Sequence, residues 1–149
     1  MTVKVVQILF PTILISLTLL TSCSRDSKLQ ATLSRHLAAL EQRDMTTLLT
    51  IVDRNNITEI NLKGHYLSGF QEYRKEKEAW FSDPGWNLKY DVLHVDRYKK
   101  TAVAMVKMTL RDRDDRGGFF TYQYYSTLIF HYKPRQWKMT HCQNTIIRG

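Results

Sequence analysis

Phe119-Phe120-Thr121-Tyr122-Gln123-Tyr124-Tyr125-Ser126-Thr127-Leu128-Ile129-Phe130-His131-Tyr132 decides the fold. Phe120, Tyr122, Tyr124, Leu128, Phe130 and Tyr132 stand in phase, at the two-residue period of a strand with one buried face. Asp114-Asp115-Arg116-Gly117-Gly118 precedes the run and reads as a hairpin turn. Before the turn, Thr101 to Arg111 is a second strand, with Ala102, Ala104, Val106, Met108 and Leu110 on one face. Asn87 to Tyr98 is a third strand, ended by the polar turn Asp96-Arg97-Tyr98-Lys99-Lys100. Downstream, Lys133-Pro134-Arg135 turns the chain into a last strand, Gln136 to Ile147. Short links between consecutive strands make antiparallel neighbours.

Helices come before this meander. Leu29, Leu33, His36, Leu37 and Leu40 recur at helical spacing and predict a helix from about Ser27 to Gln42. His36 lies on that apolar stripe and reads as a packing residue. Asp44 has the place of an N-cap for a short helix that buries Met45, Leu48, Leu49 and Val52. Ile57 to Leu62 alternates as a short strand. A third helix spans about Phe70 to Ser82, with Phe70, Tyr73, Lys77, Trp80 and Phe81 on one side. Arg74 and Glu78 can pair on its exposed side, and Asp83-Pro84-Gly85 stops it. The order predicts an α+β fold: a curved antiparallel sheet forming a cone, packed by N-terminal helices. Such a cone can enclose a cavity.

The chain begins differently. Lys4 precedes a largely apolar run from Val5 to Leu20, which is too short for a confident membrane span. A positive start, an apolar run and small residues before a cut site describe a secretory signal. Leu20-Thr21-Ser22-Cys23 resembles the bacterial lipoprotein lipobox. The resemblance implies lipidation of Cys23, cleavage before it, and anchoring in the bacterial cell envelope through several acyl chains. Ser24, in place of an Asp, leans towards the outer membrane. The expected organisation is residues 1–22 as signal peptide, 23–28 as a short lipidated tether, and 29–149 as one domain.

The formal net charge is +8. That balance could favour an anionic membrane surface, peptidoglycan or an acidic ligand. Acids are interspersed among the basic residues, as in Arg111-Asp112-Arg113-Asp114-Asp115-Arg116, the pattern of a solvated surface. Export argues against nucleic acid as a partner. There are two cysteines. With Cys23 lipidated, Cys142 has no partner in the chain, so packing rather than disulfides must hold the domain.

A second resemblance lies in Trp137-Lys138-Met139-Thr140-His141-Cys142-Gln143-Asn144-Thr145. This stretch is similar to the closing strand of SnoaL-like domains in the nuclear transport factor 2-like superfamily. It is especially similar to the association domain of calcium/calmodulin-dependent kinases. The resemblance implies a cone with a pocket, often dimerised through the outer face of its sheet. It covers enzymes of ketosteroid isomerase and dehydratase type as well as non-catalytic binding and assembly domains.

Enzymes of that superfamily place an Asp or His as base, with a Tyr or second acid polarising a carbonyl. The candidates are His141, Tyr124 and Asp91. Simple alternation puts Trp137, Met139, His141 and Gln143 on one strand face. With Tyr122 and Tyr124 they form the expected ligand-binding set. They read either as a catalytic group or as a polar patch in an aromatic cavity, and the second reading is preferred. The five histidines are scattered without ligand spacing, so neither metal nor cofactor is expected. The expected partners are the membrane through Cys23, a small apolar or amphipathic ligand, and a second copy of the chain.

Overall fold

The computed structural model describes residues 11–114 and 116–147, with side chains from residue 24 onward. The lipobox side chains, Cys23 included, lie outside the described residues. Helix α1 (Pro11–Glu41) and helix α2 (Met45–Ile51) lead into strand β1 (Thr58–Ile60) and strand β2 (Tyr66–Ser68). Helix α3 (Phe70–Ser82) then precedes β3 (Asn87–Tyr98), β4 (Thr101–Arg113), β5 (Phe119–Lys133) and β6 (Gln136–Ile146). The six strands form one sheet in the order β2-β1-β6-β5-β4-β3. The meander is antiparallel. Among the described strands only β1 pairs parallel, with Thr58, Glu59 and Ile60 opposite His141, Cys142 and Gln143.

The helices cover one face of the sheet, as the α+β reading requires. Leu29, Leu33, Leu37 and Leu40 of α1 are buried with Ala102, Ala104, Val106, Met108 and Leu110 of β4 and with Leu128 and Phe130 of β5. Each fully buried Leu contributes roughly 1.5–3 kcal/mol. The Asp44 side chain caps α2, accepting from Thr47 N–H at 2.9 Å. Arg74 and Glu78 pair at 2.6 Å on the exposed side of α3.

Three features depart from the sequence reading. Strand β2 is too short to leave a periodic signal, and the Gly64 and Gly69 turns that bracket it both have positive φ. Residues 24–28, within the stretch expected as a short lipidated tether, are helical and fastened to the domain. Trp137 Nε1–H donates to Arg25 O at 3.0 Å, and Arg97 pairs with Asp26 through two nitrogens. Turn-by-turn hydrogen bonding carries the helix back through this polar stretch, because nothing in it breaks a helix.

The third departure changes the site. Ile129 stands opposite His141, and Phe130 opposite Met139. Thr140 is therefore an extra residue, a β-bulge in β6. A matching shift leaves Leu93 extra in β3, between Val92 and His94. Bulges bend a strand and increase its twist. They also reverse which face the following residues occupy.

Candidate functional site

A cavity of about 590 Å³ lies between the helices and the concave face of the sheet. Leu40, Met108, Leu110, Met139 and Trp80 supply apolar wall. Its exposed lining residues, Lys63, Ala79, Asp83 and Ile146, mark the mouth. These lie at the end of the sheet away from the β3–β4 and β5–β6 turns.

The polar part is built around Glu59. Strand β1 points this carboxylate inward beside Cys142, and its side chain is 1% exposed. Lys77 reaches it from α3, Nζ to Oε1 at 2.7 Å, and is itself nearly buried. Asn144 Nδ2–H donates to the same oxygen at 3.3 Å. Ser126 Oγ–H donates to Asn144 Oδ1 at 2.8 Å and lies 3.5 Å from Cys142 Sγ. Three buried polar atoms in the cavity wall have no protein partner: Glu59 Oε2, Tyr73 OH and His36 Nδ1. Unpartnered buried polar groups cost stability, so these are places for a ligand or water to complete.

Burial sets the protonation of this wall. Desolvation holds the His36 imidazole down at about 3, and the nearby Lys77 charge pushes the same way. Desolvation, then Glu59, pushes the Cys142 thiol up to about 12. The Tyr73 and Tyr124 hydroxyls are raised for the same first reason, with Glu59 adding to both. At neutral pH the buried part of the wall therefore offers neutral hydroxyl, thiol and imidazole groups beside the Lys77–Glu59 salt bridge.

The expected site residues divide. Tyr122, Tyr124 and Met139 line the cavity. Trp137 is buried at the closed end, where its indole N–H is spent on Arg25. His141 and Gln143 lie on the opposite face, because the Thr140 bulge turns Cys142 and Asn144 inward in their place. His141 Nδ1 there lies 2.8 Å from Thr58 Oγ1. Asp91 is exposed, opposite Lys107 on the outer face of the sheet. His141, Tyr124 and Asp91 are therefore not brought together. Glu59, Lys77 and Asn144 were missed. The available signal was Lys77, a cation on the apolar side of its helix. Among the described residues no cluster of three or more His, Cys, Asp or Glu could hold a metal ion.

Comparison with known proteins bears on this cavity fold. The family model for the SnoaL-like domain matches residues 29–147. No curated protein matches the chain. A nuclear transport factor 2-like superfamily protein from Salmonella enterica serovar Typhimurium superposes with a TM-score of 0.72 at 16% identity, over 87% of this chain and 94% of that one. A ketosteroid isomerase-like protein from Erwinia carotovora atroseptica gives 0.72 at 11% identity, over 83% and 96%. The CaMKII hub of S. rosetta gives 0.66 at 18% identity, over 81% and 95%. At these identities the likeness is one of fold.

Proposed function

Because the chain belongs to the SnoaL-like domain family, we propose that it is a non-catalytic binding domain whose cavity takes a small amphipathic molecule. One observation carries the reading: a cavity of about 590 Å³ whose wall keeps Glu59 Oε2, Tyr73 OH and His36 Nδ1 without protein partners. A ligand hydroxyl or amide completes those atoms, while its apolar body packs on Leu40, Met108, Leu110 and Met139. The volume lies in the range of small-molecule pockets. A ketosteroid isomerase-type reaction using His141 with Tyr124 or Asp91 gains no support, since of the three only Tyr124 lines the cavity.

The same proposal makes the chain a lipoprotein of the bacterial envelope. Cys23 carries the acyl groups, and the outer membrane is the favoured location. Leu20-Thr21-Ser22-Cys23 and the apolar run before it support this. Among the described residues no helix is long and apolar enough to cross a membrane.

Native mass spectrometry of residues 24–149, produced in a bacterial periplasm and purified gently, tests the binding reading. Retained mass that is lost in Glu59→Gln is the expected result. An empty chain, with the cavity filled by its own side chains, overturns it. A second reading, a homodimer, is favoured by Val103, Met105 and Tyr125. These are each about two-fifths exposed on the outer face of the sheet, the opposite side from the cavity.

A further inference from the structure

The end of the domain opposite the cavity mouth is strongly basic. The β3–β4 turn presents Lys99 and Lys100, both exposed, behind Tyr98, which is 72% exposed. Tyr132 N–H donates to Lys100 O at 2.7 Å, which ties that turn to the end of β5. The β5–β6 turn adds Lys133 and Arg135. Helix α1 arrives at the same place. Arg25 lies 5.2 Å over the Tyr132 ring and bonds through its carbonyl to Trp137, and Lys28 follows one turn later. The acids at this end are mostly engaged: Asp26 pairs with Arg97, and Asp53 with Lys133. Lys28, Lys99, Lys100 and Arg135 keep their charges facing solvent.

We propose that this end is a docking surface for anionic phospholipid, on which the domain stands with its cavity mouth turned away from the bilayer. Lys and Arg near an anionic surface attract it electrostatically, and a tyrosine at such a tip suits the headgroup layer. The partner is lipid rather than peptidoglycan for two reasons. The exposed tip residue is aromatic, and the stretch of helix α1 just after Cys23 is fastened to the domain at this end. The second reason rests on the anchor reading above. Because Arg25 and Asp26 are fastened to the domain, an anchor at Cys23 holds this face close to the membrane.

Residues 24–149 suffice for the test, because the buried core of the described residues begins at Leu29. The measurement is co-sedimentation with vesicles containing phosphatidylglycerol, with vesicles of phosphatidylcholine alone, and with purified peptidoglycan. Binding to the first, weakened by salt, is the expected result. The triple variant Lys99→Glu, Lys100→Glu, Arg135→Glu should lose it by about tenfold or more. A control with the same charge change elsewhere, Lys75→Glu, Lys89→Glu, Arg116→Glu, should retain most of it. No binding to the anionic vesicles, equal loss in both variants, or preference for peptidoglycan overturns the proposal. The anchor is tested separately, by the mass of the full chain recovered from bacterial membranes. An acylated chain whose 24–149 part ignores vesicles refutes docking alone. An unacylated chain whose 24–149 part binds them refutes the anchor alone.

Discussion

Lys77 and Glu59 are the residues on which the cavity wall depends. Removing one partner leaves the other charge buried and alone, which costs about 3–5 kcal/mol. Lys77→Met and Glu59→Gln should each lower the unfolding free energy by that amount, read from the shift of the urea midpoint at unchanged m. The double variant should recover part of the loss, and purely additive losses would show that the pair is not coupled. His36 makes a pH prediction. The unfolded chain takes up a proton near the ordinary value of 6.5, whereas the folded chain resists until about 3. Between those values the unfolded state binds more protons, so stability is full above 6.5 and is lost as pH falls towards 3. In His36→Leu that part of the acid sensitivity should vanish, read as a smaller difference in urea midpoint between neutral pH and about pH 4. Cys142, 6% exposed with its thiol raised to about 12, should label with iodoacetamide only after unfolding. Rapid labelling of the native domain would mean that the cavity opens.

At the scale of elements, the long strands, helix α3 and the Leu29–Leu40 part of α1 were legible because each repeats its period several times over, and α2 because Asp44 caps it. The strand read over Asn87 to Tyr98 coincides with β3, and the helix read over about Phe70 to Ser82 with α3. The site was legible only in part, and Thr140 is the reason. A bulge is defined by what stands across from it, Ile129 and Phe130 on β5, and one strand's own sequence does not carry that. Alternation counted through Thr140 puts His141 and Gln143 where Cys142 and Asn144 stand. Glu59 escaped for a related cause. Its strand is three residues long, and a carboxylate there looks like a solvent-facing residue until Lys77 is placed beside it. Deleting Thr140 should force Cys142 and Asn144 outward and strand Glu59 without Asn144. The expected outcome is loss of the cooperative thermal transition in circular dichroism. A deletion variant melting like the parent would mean that the bulge can move along β6 at little cost.

At the scale of the whole molecule, the two faces of the sheet carry separate expectations. The inner face holds the cavity. The outer face, with Val103, Met105 and Tyr125, is where a second copy would pack. Met105→Lys with Tyr125→Lys should convert a dimer to a monomer in sedimentation velocity while leaving ligand retention intact. A parent that is already monomeric at high concentration would remove the dimer reading. The parallel pairing of β1 with β6 bears on something else, the order in which the fold can assemble. Thr58 to Ile60 must wait for His141 to Gln143, so the strand carrying Glu59 has only the β2 hairpin as sheet neighbour until β6 is available. Such long sequence separation slows folding. A chain that still lacks β6 therefore cannot finish its sheet, and the arrival of β6 acts as the starting signal for the final step.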